Sequence, residues 1–88
     1  MVAWQLHYTK QALKDAKKLS AAGLRPKAEE LLNILKTNPF QNPPSFEKLV
    51  GDLTGAFSRR INIKHRLVYQ IYNIEKAVKI ISMFNHYD

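Results

Sequence analysis

An 88-residue chain that is 45% hydrophobic can bury one two-layer core but not two, so residues 1–88 are expected to form a single domain. The absence of cysteine excludes a disulfide framework and thiolate metal sites, and no apolar run approaches the roughly 18 residues that a membrane-spanning helix needs. Fourteen Lys and Arg against seven Asp and Glu give a formal charge of +7, a field that gathers polyanions and makes nucleic acid or an acidic protein the expected partner.

The opening "MVAWQLHYTKQ" lacks the basic, apolar and small-residue regions of a secretory signal, so a cytoplasmic protein is expected. Val2, Trp4, Leu6 and Tyr8 alternate with Ala3, Gln5 and His7, which predicts a half-buried strand. Thr9 follows as a helix N-cap, and Ala12, Ala16 and Leu19, with Leu13 beside them, form a helical stripe that ends near Gly23. A second helix starts at Arg25-Pro26, because proline suits a first turn, and buries Ala28, Leu31, Leu32 and Leu35. The short link between the two predicts an antiparallel helical hairpin. From Asn38 to Ala56 no period holds, and "NPFQNPPSFEKLVGDLTGA" reads as a long connection pinned to the core by Leu49 and Leu53; ordered loops of this length tend to carry function.

Three strands follow, from Phe57 to Ile63, from His65 to Tyr72, and from Val78 to Phe84 or beyond, with polar turns at Asn62–Lys64 and Asn73–Lys76. The order β-α-α-β-β-β predicts an α+β fold of two layers, with an antiparallel meander of the last three strands and the helical hairpin on one face. Side chains alternate along a strand, so Phe57, Ile61 and Ile63 share one side with Leu67, Tyr69 and Ile71 of the next strand, while Ser58, Arg60 and Arg66 share the other. Arg60 and Arg66 are therefore expected on the face that the helices leave open. Arg59 falls on the core parity, where a cation must lie at a fringe, snorkel or mark a bulge. In the last strand both parities are apolar. Placing Ile81 and Met83 in the core leaves Ser82, Phe84 and His86 on the open face with the two arginines.

Like charges on adjacent strands repel unless an anion sits between them, so Arg60 and Arg66 suit a phosphate better than they suit a fold. The three histidines have no mutual metal-ligand spacing, no serine lies on a Gly-x-Ser-x-Gly turn, and no Gly-rich loop offers a cofactor site, so neither metal nor cofactor is expected. Metal-free cleavage of RNA fits the residues present. That reaction needs a base for the 2'-hydroxyl proton, cations for the charge on the phosphorane and an acid for the leaving 5'-oxygen. Glu47 supplies a base, Arg66 and Arg60 the cations, His86 an acid that titrates near neutrality, and Tyr87 a ring to orient or stack on a nucleotide. A non-catalytic module that binds RNA or protein, with Glu47 and His86 incidental, is the alternative from another class.

The segment "LTGAFSRRINIKHRLVYQI" resembles the Leu-Ser-Gly-x-[Trp/Phe]-Ser-Arg-Arg-Ile…His-Arg-Leu-Val-Tyr block of the RelE/YoeB superfamily of bacterial toxins. The terminal "NHYD" resembles the His-Tyr ending of its Txe/YoeB branch, and the Trp4/Tyr8 strand and the "NPF…FEKL" loop are similar too. The resemblance implies a RelE-like fold and the toxin of a type II toxin–antitoxin pair, an endoribonuclease that cuts mRNA in the ribosomal A site. It also implies a cognate acidic antitoxin, with the ribosome and mRNA as further partners. By resemblance the base falls on Glu47, the phosphate-holding arginines on Arg66 and Arg60, and the acid and its neighbour on His86 and Tyr87, while His65 is structural. The lysine that the family often carries three residues after the glutamate is replaced here by Val50, which leaves Lys48 and Arg59 as further cations for the phosphate. Asp88, after the His-Tyr pair, is a second departure.

Overall fold

The computed structural model describes residues 3–86, without the side chains of Asn85 and His86; Val2, Tyr87 and Asp88 lie outside the described residues. The elements run β1 (Gln5–Tyr8), α1 (Lys10–Ala21), α2 (Arg25–Thr37), β2 (Phe46–Lys48), a single 3-10 turn at Gly51–Leu53, β3 (Ala56–Arg60), β4 (His65–Tyr72) and β5 (Ala77–His86). The strands form one sheet in the order β1-β5-β4-β3-β2, antiparallel except for β1, which runs parallel to β5. No described helix is long and apolar enough to cross a membrane.

Both helices start and stop for local reasons. The Thr9 hydroxyl accepts the Ala12 N–H at 3.0 Å, which satisfies one of the free donors of the first turn of α1. Gly23 ends that helix in the left-handed region at φ 74°, where a side chain would be strained. Pro26 sits in the first turn of α2, where its missing N–H costs nothing. Ala12 and Leu19 of α1 and Ala28, Leu31 and Leu35 of α2 pack on Leu67 and Tyr69 of β4 and on Val78, Ile80 and Met83 of β5. Leu13 is exposed and Leu32 half-buried, so the buried stripes are narrower than the spacing predicted.

Four expectations change. The loop after α2 contains a strand, β2, which adds to the open edge of the meander. The loop is not pinned by leucines, since Leu53 is exposed and Leu49 only half-buried. Arg59 holds it instead. Its side chain, 1% exposed, neither snorkels nor sits at a fringe. Nη1 donates to the Pro44 carbonyl at 2.6 Å, Nη2 donates to those of Pro39 at 3.0 Å and Gln41 at 2.8 Å, and Nε donates to the Tyr69 hydroxyl at 3.0 Å. The guanidinium also lies 4.8 Å from the Phe46 ring centre. A buried cation is tolerated when its donors are met, and here they are met by the carbonyls of a loop that has no period of its own. Finally, Ile63 is not a core residue but stands exposed in the β3–β4 turn, which Asn62 shapes by accepting the N–H groups of Lys64 and His65.

Burial raises the pKa of the Tyr69 phenol above its usual value near 10, with the charge and hydrogen bond of Arg59 acting in the opposite direction. The folded chain therefore keeps this proton at a pH where the unfolded chain releases it, and its contribution to stability is intact below about 10 and lost above it. Urea unfolding at about pH 9 and pH 11 should show lower stability at the higher pH, with a shallower decline in Tyr69→Phe. An unchanged slope in that variant would refute the assignment.

Candidate functional site

The candidate site is built on the sheet face turned away from the helices, where β2, β3 and β4 meet. Glu47 of β2 stands opposite Ser58 of β3, and Arg60 of β3 stands opposite Arg66 of β4. Directly opposed residues of an antiparallel pair point to the same face, so these four side chains converge. Arg66 Nη1 lies 3.2 Å from Glu47 Oε1 in an ion pair and donates a hydrogen bond to Ser58 Oγ at 3.2 Å. The arginine side chain is 11% exposed and the glutamate 57%, so a largely desolvated cation sits under an accessible carboxylate. Beside them Arg60 is exposed, which leaves two guanidinium groups on neighbouring strands with solvent access to the space between. That arrangement can hold an anionic phosphate against Arg60 and Arg66 while the Glu47 carboxylate takes a proton from a group next to it.

The sequence-predicted residues do not all arrive here. Arg59 lies on the opposite face, its guanidinium given over to the loop carbonyls, which is a structural role in place of the phosphate contact. Lys48 stands opposite Phe57, on the helix side of the sheet and away from Glu47. Val50, at the position of the missing lysine, is exposed. Ser58 joins the site without having been assigned a role; its parity with Arg60 was the available signal.

The last strand is placed differently from its apolar pattern. Val78, Ile80 and Met83 are its core residues and Ile81 is only half-buried, because register shifts between Arg66 and Val68 and between Val68 and Tyr69 break the alternation. Ser82 faces away from the helices, opposite Val68, as expected. Phe84 does not. It packs against the core cluster, stacks on His65 with ring centres 3.9 Å apart, and has the Lys18 ammonium 5.9 Å from its ring centre. His65 is thus a buried packing residue, in line with its structural reading. The backbone of Asn85 lies opposite Arg66 and that of His86 opposite His65. The His86 side chain and all of Tyr87 lie outside the described residues.

A cavity of about 490 Å³ lies on the helix side of the sheet, lined by Leu13, Ala16, Leu32 and Met83 among others, and is separated from Glu47 and Arg66 by the sheet itself.

Comparison with known proteins agrees with the fold. Residues 8–87 match the family model of the YoeB-like toxin of bacterial type II toxin–antitoxin systems. Toxin YoeB of Synechocystis sp. is 40% identical over 57 residues, a match that covers 65% of this chain and 64% of that relative's length. Among solved structures, the YoeB/ParE toxin from Agrobacterium tumefaciens superposes with a TM-score of 0.83 at 29% identity, covering 94% of this chain and 99% of that one. A chain of the YoeB–YefM complex from Staphylococcus aureus does so with a TM-score of 0.77 at 34% identity, covering 96% and 98%. With the block from Leu53 to Ile71 laid out as β3 and β4 of this sheet, the chain belongs to the YoeB-like toxins of bacterial type II toxin–antitoxin systems.

Proposed function

We propose that the chain is a metal-independent endoribonuclease that cleaves mRNA in the ribosomal A site and so arrests translation. Glu47 takes the proton of a ribose 2'-hydroxyl, whose oxygen bonds to the adjacent phosphorus. The bond from phosphorus to the 5'-oxygen breaks, and His86 gives that oxygen its proton, leaving a 2',3'-cyclic phosphate on one fragment and a 5'-hydroxyl on the other. Arg66 and Arg60 carry the extra charge of the phosphorane, and Tyr87 orients the nucleotide. The observation that carries the reading is the accessible Glu47 carboxylate 3.2 Å from the buried Arg66 guanidinium, with Arg60 directly across. Action at the ribosome places the protein in the cytoplasm.

An acidic antitoxin is the second partner. The relative from Staphylococcus aureus was solved in complex with YefM, and the +7 charge of this chain favours an acidic segment that folds as it wraps the basic surface.

Expression without an antitoxin should arrest growth for the wild type and not for Glu47→Ala or His86→Ala, and primer extension should map the cuts within A-site codons. Arrest that persists in both variants would instead favour a non-catalytic binding module. Equal cleavage of naked RNA would remove the requirement for the ribosome.

A further inference from the structure

Two irregularities in β5 are each met by a side chain from α1, one from its N-cap and one from its middle. Tyr69 lies opposite Ile80 and Val68 opposite Ser82, which leaves Ile81 without a position on β4. Arg66 lies opposite Asn85, so Met83 and Phe84 share the one position of Leu67. A bulge takes backbone groups out of the ladder, and in a buried strand those groups need other partners. The Thr9 hydroxyl donates to the Ile81 carbonyl at 2.6 Å, and the Met83 N–H donates to Asp15 Oδ2 at 3.0 Å. Asp15 is 2% exposed, and its other oxygen accepts from Gln11 Nε2 at 2.8 Å. A carboxylate on the buried face of a helix is disfavoured unless it is hydrogen-bonded, and helix formation alone asks for nothing polar there. What Asp15 meets is the backbone donor that the second bulge sets free.

The bulges decide what stands beside Arg66. From Tyr69 to Arg66 β4 advances three positions, while from Ile80 to Asn85 β5 advances five. Two residues are absorbed, which shortens the reach of β5 by roughly 7 Å at the usual rise of a strand. In an unbroken register Met83 would face Arg66, and His86 would run past the end of β4 to the level of Ile63. With the bulges, Asn85 and His86 come alongside Arg66 and His65. We infer that Asp15 and Thr9 are positioning residues of the ribonuclease, holding the two β5 bulges that bring the backbone of Asn85 and His86 level with Arg66 and His65 at the end of β4. The inference rests on the ribonuclease reading for its effect on rate, but not for its effect on register.

Three variants of the full chain test it. Asp15→Leu keeps the branched skeleton, though with a larger side chain, and removes the acceptor, Asp15→Asn keeps an acceptor, and Thr9→Asp keeps a cap for the Ala12 N–H but cannot donate to Ile81. NMR contacts between Arg66 and Asn85 report the register, with contacts between Leu6 and Val78 as a control for the fold. Cleavage of ribosome-bound mRNA reports the rate. Asp15→Leu should lose the Arg66–Asn85 contact and keep the Leu6–Val78 contact, with kcat down at least about tenfold and KM within about twofold. Thr9→Asp should weaken the same contact, and Asp15→Asn should stay within about threefold of wild type on both readouts. Asp15→Leu with an intact Arg66–Asn85 contact overturns the inference, whatever its rate. If Asp15→Leu does not fold, Thr9→Asp decides in the same way. A wild type that cleaves nothing removes the ribonuclease reading, and the contacts alone then show whether Asp15 and Thr9 hold the bulges.

Discussion

Arg66→Ala is expected to lower the single-turnover rate of mRNA cleavage by roughly 100- to 1000-fold, the loss that follows removal of one preorganised donor from a site of developing negative charge. The magnitude follows from the setting of the guanidinium. Ser58 and Glu47 hold it in place and the sheet shields it from water, so little reorganisation is needed when the phosphorane forms. Arg66→Lys should recover little, since a single ammonium cannot present the planar fork that meets two phosphate oxygens at once. Arg60→Ala offers the contrast. Its side chain is exposed, water screens it, and the expected loss is about tenfold or less and mainly in KM. Rapid-quench cleavage of ribosome-bound mRNA measures both. An Arg66→Ala enzyme within tenfold of wild type would remove this residue from the proposed chemistry.

The second large effect concerns stability. Arg59→Ala leaves three loop carbonyls and the Tyr69 hydroxyl without their donor in a buried site, and breaking such a network costs about 3–5 kcal/mol. A domain of this size holds roughly 5–15 kcal/mol in total, so the variant is expected to lose a large part of its stability in urea unfolding. Arg59→Lys should lose nearly as much, because one ammonium cannot span carbonyls that Arg59 reaches with both terminal nitrogens. The damage should also reach the site, since Pro44 lies two residues before β2, the strand that carries Glu47. A melting temperature within about 2 °C of wild type in Arg59→Ala would contradict this account.

Much of the fold was legible because its signals are local. Thr9, Gly23 and Pro26 mark helix ends wherever the helices pack, and the alternation around Phe57, Leu67 and Tyr69 needs only a strand with one buried side. What was not legible depends on a partner distant in sequence. β2 has three residues, too few to show a period, and it is a strand only because β3 offers it an edge. Arg59 was correctly assigned to the core parity, but three of its four hydrogen-bond partners are backbone carbonyls, which every sequence has and none advertises. The faces of β5 were misjudged at Ile81 and Phe84 because two bulges interrupt a strand that is apolar on both parities. The Glu47, Arg60 and Arg66 trio was legible because two of its members share a parity and the third is the carboxylate of the Pro-rich loop. Ser58 was on the same face with nothing in its own chemistry to single it out.

The position of β5 within the sheet has a bearing on biosynthesis. It lies between β1 and β4, so the strand made first can join the sheet only through the strand made after all the others. α1 also packs chiefly against β5, which leaves the apolar stripe of the first helix uncovered until β5 has been made. Pairings this distant in sequence form late, after the whole segment has been made. On the proposed function, the toxic activity then depends on a pairing, β1 with β5, that cannot form until every element between them has been made.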